Sequence, residues 1–125
     1  MCIRDRDQAR QDEWLSYIYG EMDETSLYVM RRHEALAEIY GDAPAAVEAA
    51  RQYVTKHLQV TDQYLADKTF LLNDRFSLPD VFLTTCLNWA EAYGIPLLDN
   101  LSRYRNQIIQ RPAYIKADAI NKQKA

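Results

Sequence analysis

The sequence contains few of the residues that mark turns in β-structure, and it has no long apolar run. Its 125 residues include only three glycines and four prolines, too few for the many tight turns of a β-sandwich or β-barrel. No apolar stretch approaches the roughly 20 residues of a membrane-spanning helix, and the N-terminus lacks the apolar core of a secretory signal. These absences favour a helical protein with no place in a membrane.

Cysteine and positive charge are also scarce. One of the two cysteines, Cys2, lies at the terminus, and the other, Cys86, lies in an apolar segment that is predicted to be a buried helix. We therefore expect no disulfide between them, and a cytoplasmic location. The formal net charge of −3 argues against a nucleic-acid partner, since binding phosphates requires clustered lysine and arginine.

The sequence lacks the motifs of most enzyme classes. His33 and His57 stand alone, without a second histidine or a cysteine at helical spacing that would build a metal site. No glycine-rich phosphate loop is present. Cys86 is flanked by Thr85 and Leu87, which favours a buried structural thiol over a nucleophile. From these patterns we predict no metal site and no catalytic residue within the chain.

What the sequence does contain is helical periodicity. Hydrophobic residues make up 48% and charged residues 26% of the chain, a composition typical of a globular domain. The spacing of the apolar residues predicts five helices, at about 7–40, 42–68, 78–93, 98–110 and 113–120. We expect an all-α domain over 8–120, with a disordered or non-native start at 1–7 and a frayed tail at 121–125.

The first two helices each carry a predicted inward face. For the first helix the face consists of Leu15, Ile18, Met22, Val29, His33 and Leu36. For the second helix it consists of Val47, Ala50, Val54, Leu58, Thr61 and Leu65. Asp42 is the predicted N-cap of this second helix, and Gly41 ends the first.

The segment 78–93 is predicted to be the central buried helix, because it has almost no polar face. Ser77 is a natural N-cap, and Asp80, three residues later, completes a capping box. Asn73 is expected to form a turn with positive φ. A hydroxyl nucleophile assisted by a carboxylate is the alternative role for Ser77 and Asp80. No histidine lies near them to bridge the two, whereas the capping box explains both residues. On this basis replacing Asp80 by alanine should cost about 0.5–2 kcal/mol.

Three segments resemble the C-terminal domain of bacterial-type cytosolic glutathione transferases. They are EWLSYIYGEM at 13–22, FLLNDRFSLPDVFLTTCLNWAEAYGIPL at 70–97 and RYRNQIIQRPAYIKA at 103–117. The resemblance implies glutathione as co-substrate, a hydrophobic electrophile as acceptor substrate, and a homodimer with the first two helices at its interface. It also implies that a thioredoxin-like domain, which supplies the thiol-activating residue, is missing from this chain, so that the chain alone is inactive.

The resemblance further indicates substrate-binding positions. Ser16, Gly20 and Asp23 share a helix face by their spacing of four and three, and the resemblance turns that face toward the thioredoxin-like domain. Trp89 matches a position that lines the acceptor pocket in bacterial relatives, although core packing explains it equally well. The sequence departs from those relatives where they carry histidine and lysine, since Asp23 and Glu24 stand there.

Two other functions remain open on the sequence alone. Helical domains of this family also occur as non-catalytic docking modules in translation-factor and synthetase assemblies. An unrelated helical bundle with a coincidental capping box is the other alternative. The sequence upstream of Asp7 would distinguish the transferase from the docking module. A thioredoxin-like reading frame there favours the enzyme, and a native start codon favours the module.

Overall fold

A long helical rod opens the fold in a computed structural model of the protein, which describes residues 3–123. Its α-helical parts are Ile3–Tyr17, Tyr28–Met30 and Ala37–Tyr40, and its π-helical parts are Ile18–Leu27 and Arg31–Ala35. Leu36, with a φ of −117° and a ψ of 31°, interrupts the rod before its last part, and we refer to 3–40 together as the first helix. It ends at Gly41, whose φ of 91° is available to glycine at little cost, as the sequence predicts.

The first helix begins at Ile3, earlier than the periodicity indicates. Residues 3–7, which the sequence assigns to a disordered or non-native start, are helical. Asp7 Oδ2 lies 2.7 Å from Arg75 Nη2, and this ion pair connects the start of the first helix to the segment before the third helix. Residues 1 and 2, including Cys2, lie outside the described residues.

The predicted inward face of the first helix is correct only in its first half. Ile18 and Met22 are buried as expected, but beyond them Leu27 and Met30 are fully buried in place of Val29 and His33. The reason is the π-helical segment, whose wider turns rotate all following side chains relative to an α-helix. A period of 3.6 residues therefore predicts the wrong face after about residue 22.

The second helix, Pro44–Tyr64, is followed by a 3₁₀ turn at Leu65–Asp67. Its buried side is the predicted one: Val47, Ala50, Val54, Leu58, Thr61 and Leu65. The predicted N-cap is wrong by one residue, because Ala43 occupies that position and makes no side-chain cap bond. Pro44 in the first turn lacks the N–H that would need a partner there, so the helix begins without a polar cap.

The third helix, Leu78–Ala92, begins at the predicted capping box of Ser77 and Asp80. The Ser77 N–H donates to Asp80 Oδ2 at 2.9 Å. Asp80 is fully buried, and its other oxygen, Oδ1, accepts bonds from the Leu71 N–H at 3.0 Å and the Tyr104 hydroxyl at 2.6 Å. Asn73, in the segment before the helix, has the predicted positive φ of 64°. Asp80 therefore joins the cap, the preceding segment and the next helix.

The fourth helix, Asp99–Ile109, and the fifth helix, Pro112–Gln123, complete the fold. Asp62 on the second helix accepts bonds from the Leu101 N–H at 2.9 Å and from Asn100 Nδ2 at 3.1 Å, so it caps the fourth helix from a distance in sequence. The fifth helix includes residues 121–123 of the predicted frayed tail, and residues 124–125 lie outside the described part.

Residues 3–123 thus form five helices, when the first is counted as one rod, and no strand beyond two isolated bridges near Asn73. The all-α prediction is confirmed. Within this range no helix is both long and apolar enough to cross a membrane. The π-helical segment Ile18–Leu27 packs against both the second and the third helix, and this contact positions the candidate site.

Candidate functional site

An aromatic surface forms where the π-helical segment meets the third helix. The ring of Tyr19 lies 4.8 Å, centroid to centroid, from the ring of Phe82. Phe82, Cys86 and Trp89 share one face of the third helix because positions i, i+4 and i+7 recur on the same side. We call the group of Tyr19, Asp23, Phe82, Cys86 and Trp89 the aromatic seam.

The seam is accessible to solvent at Tyr19 and buried at Cys86. Tyr19 is 42% exposed, Phe82 and Trp89 are half-buried, and Cys86 is only 4% exposed. Trp89 packs against the core, and its ring centroid lies 6.0 Å from that of Tyr93. Large aromatic side chains with one accessible side are suited to contact a flat apolar molecule, since each ring contributes a large rigid surface.

Two hydroxyl groups accompany the wide turns of the π-helical segment. Thr25 donates to the Gly20 carbonyl at 2.5 Å and Ser26 donates to the Glu21 carbonyl at 2.7 Å. Both bonds reach back five residues, whereas serine and threonine in an α-helix reach back three or four. π-Helical turns occur frequently at functional sites, and here the turn carries both Tyr19 and Asp23.

The seam has an acidic character. Burial raises the pKa of Asp23 above its usual value, and the neighbouring Glu24 carboxylate raises it further. Burial, with a smaller contribution from the Asp23 charge, raises the pKa of Cys86 to about 12. Cys86 is therefore a neutral thiol at physiological pH, and it is unsuited to act as a nucleophile.

The four sequence-predicted binding residues lie on the same two helices. Ser16 and Gly20 are exposed on the first helix, and a Cβ at Gly20 would meet open space. Asp23 and Trp89 belong to the seam. Tyr19 and Phe82 were not singled out from the sequence, because nothing in a single chain distinguishes Tyr19 from the other eight tyrosines or pairs it with a residue 63 positions away.

A polar network between the first and second helices also escaped sequence reasoning. The Tyr17 hydroxyl lies 2.7 Å from His57 Nδ1, and His57 Nε2 lies 3.5 Å from Glu21 Oε2. Tyr53 donates a hydrogen bond to the same Glu21 oxygen. Burial raises the pKa of Tyr17, and the bond to Glu21 raises that of Tyr53. Both phenols are thus neutral at physiological pH, and the network ties the two helices together.

A concavity of about 530 Å³ lies between the third and fifth helices, away from the seam. The third helix contributes a different face to it, which includes Thr84 and Asn88. Asn88 donates to the Tyr114 hydroxyl at 3.0 Å and accepts from Arg105 at 2.6 Å. The side chains of Asn88, Tyr114 and Arg105 thus satisfy one another, whereas the buried Thr84 hydroxyl has no hydrogen-bond partner among the described residues.

Comparison with known proteins agrees with this architecture. The family model described as "Glutathione S-transferase, C-terminal domain" matches residues 13–112. The chain belongs to the glutathione S-transferase C-terminal domain family. It is also similar to glutathione S-transferase GstA of Escherichia coli O157:H7, with 27% identity over 104 residues that cover 80% of this chain and 47% of that protein. The chain thus spans about half the length of this curated relative.

Membership of this family agrees with the resemblance that the sequence carries. The matched range contains the π-helical segment, the capping box and the whole seam. Among the described residues, no group of three or more histidine, cysteine, aspartate or glutamate side chains is arranged to hold a metal ion.

Proposed function

We propose that this chain is the helical half of a cytoplasmic glutathione transferase, and that the aromatic seam forms one wall of its hydrophobic acceptor site. Glutathione is the proposed co-substrate, and the group that activates its thiol is proposed to lie on a thioredoxin-like domain outside this chain. The observation that carries the proposal is the Tyr19–Phe82 pair, whose rings contact each other at 4.8 Å while Tyr19 stays 42% exposed. An acceptor wall needs such a surface, because flat electrophiles gain affinity by burying apolar area.

The chemistry of the described residues supports acceptor binding in this chain and thiol activation outside it. Glutathione transfer requires a thiolate at neutral pH, whereas a free thiol with a pKa near 8.5 is mostly protonated. Negative charge at Asp23 and Glu24 opposes thiol ionisation nearby. The seam therefore serves acceptor binding rather than thiol activation. In a dimer, the first two helices are the proposed contact surface.

The first test is turnover. A purified, tag-free 125-residue chain is expected to show no glutathione conjugation to 1-chloro-2,4-dinitrobenzene above the uncatalysed rate. Conjugation that scales with chain concentration and survives repurification would overturn the proposal that activation lies outside this chain.

The second test is binding at the seam. In the isolated chain, titration with 1-chloro-2,4-dinitrobenzene, followed by amide chemical shifts, is expected to perturb the seam. Tyr19→Ala and Phe82→Ala should weaken this binding, because each removes ring surface. Tyr40→Ala is the matched control, since Tyr40 is also a tyrosine on the first helix and is 46% exposed. Perturbations confined to other surfaces would contradict the acceptor wall and favour the non-catalytic interaction module.

A further inference from the structure

Asp23 differs from the other partly buried carboxylates of residues 3–123 in having no partner within that range. Glu21 accepts from Tyr53 and lies near His57, and Asp62 accepts two bonds at the start of the fourth helix. Among residues 3–123, neither a hydrogen-bond donor nor a basic side chain is paired with Asp23. Its pKa accordingly responds only to burial and to the like charge of Glu24. A half-buried carboxylate without a partner carries a desolvation cost that a bound cation would offset.

The surroundings of Asp23 fit an organic cation better than a metal ion. Tyr19 precedes Asp23 by one turn of the same segment, and its ring packs against that of Phe82 with the ring planes tilted by 54°. Trp89 lies about one turn beyond Cys86, whose thiol is close enough to Asp23 for the carboxylate to raise its pKa. Aromatic faces attract cationic nitrogen through their quadrupoles, and a carboxylate adds direct charge pairing. By contrast, a metal ion needs several oxygen, nitrogen or sulfur ligands, and the seam offers one carboxylate.

We propose that the aromatic seam selects acceptor molecules that combine an aromatic ring with a positively charged nitrogen. The ring would lie against Tyr19 and Phe82, and the ammonium or amidinium group would pair with the Asp23 carboxylate. This inference rests on the proposed acceptor wall and specifies its ligand class. It also predicts discrimination, because Asp23 and Glu24 together repel an anionic analogue.

Three ligands of similar shape test the charge preference on the intact 125-residue chain. They are 1-naphthylmethylamine, which is cationic at neutral pH, 1-naphthylmethanol, which is neutral, and 1-naphthylacetate, which is anionic. Dissociation constants come from amide chemical-shift titrations at fixed ionic strength. We expect the cation to bind about tenfold more tightly than the alcohol, a typical size for one charge-assisted contact, and the anion to bind more weakly than the alcohol.

Two matched substitutions locate the source of that preference. Asp23→Asn keeps the shape of the side chain and should bring the affinity of the cation down to that of the alcohol, while the alcohol binds as before. Glu24→Gln removes an equal charge from an exposed neighbouring position and should leave most of the preference. Added salt should weaken the binding of the cation and leave the binding of the alcohol unchanged.

The outcomes separate this inference from the proposed function. Equal affinities for cation and alcohol, or a cation preference that persists in Asp23→Asn, would overturn the charge selection and leave the apolar wall standing. Failure of all three ligands to perturb the seam would overturn the wall itself. A preference that Asp23→Asn abolishes and Glu24→Gln retains would support both.

Discussion

Replacing Asp80 by alanine is expected to destabilise the protein far more than the loss of a helix cap. The carboxylate accepts four bonds, from the Leu71 N–H, the Tyr104 hydroxyl, and the N–H and hydroxyl of Ser77. Leu71 and Tyr104 are both fully buried, so water cannot replace the carboxylate as their acceptor. The substitution therefore removes a cap and leaves two buried donors unsatisfied.

The magnitude follows from those two effects. Losing a cap contact costs about 0.5–2 kcal/mol, and each buried donor without a partner costs about 1–3 kcal/mol. Together they predict a loss of about 2.5–8 kcal/mol, against a total stability of about 5–15 kcal/mol for a domain. Ser77→Ala removes only the cap hydroxyl and should cost about 0.5–2 kcal/mol.

The assay is urea unfolding followed by far-ultraviolet circular dichroism. It compares the wild-type chain with the variants Asp80→Ala, Ser77→Ala and Tyr104→Phe at one pH. Tyr104→Phe is the intermediate case, because it removes one donor to a charged acceptor and should cost about 1.5–3 kcal/mol. It also keeps the measurement possible if Asp80→Ala fails to fold. If Asp80→Ala and Ser77→Ala lost the same amount of stability, or if Tyr104→Phe lost none, the assignment of Asp80 as a buried junction would be refuted.

Two further predictions concern the seam. In a Cys2→Ser background Cys86 should resist iodoacetamide at mildly alkaline pH and react only as fast as the chain unfolds, because burial holds its pKa near 12; rapid labelling of the folded chain, followed by mass spectrometry, would contradict this. Asp23→Asn should raise the melting temperature at neutral pH. The folded-state pKa of Asp23 lies above its ordinary value of 3.8, so the folded chain binds more protons in the window between the two values and loses stability as pH rises through it. The advantage of the variant should shrink as pH falls toward 3.8, and an advantage independent of pH would point to a cause other than charge.

The sequence was sufficient for the parts of the fold that depend on local rules. The capping box of the third helix, the positive φ of Asn73 and the end of the first helix at Gly41 each involve residues within a few positions of one another, and the buried face of the second helix follows a regular helical period. The boundaries at Ala43 and Ile3 differ from prediction by one and four positions. A proline start needs no polar cap, and residues 3–6 are helical without an apolar periodicity from which a start could be predicted.

Interactions between distant positions explain what the sequence did not provide. Asp80 meets Leu71 nine residues away and Tyr104 24 residues away, and neither contact leaves a pattern in the chain. The π-helical segment contains two hydroxyl bonds that reach back five residues, and because its turns are wider than those of an α-helix, a 3.6-residue period predicts the wrong face beyond it. For the same reason the sequence does not predict the seam, because the π-helical segment sets the position of Tyr19.

Asp23 and Asp80 show that an aspartate side chain can have two different roles within one helical domain. Asp80 is completely buried and is satisfied by four donors, three of which come from its own neighbourhood in the first turn or the segment before it. Asp23 is half-buried, has no donor among the described residues and lies beside a second acid. Burial of an unpaired charge lowers stability, and residues that lower stability are candidates for function rather than folding. On this physical ground, Asp80 is a structural residue and Asp23 is the residue on which the specificity of the seam is proposed to depend.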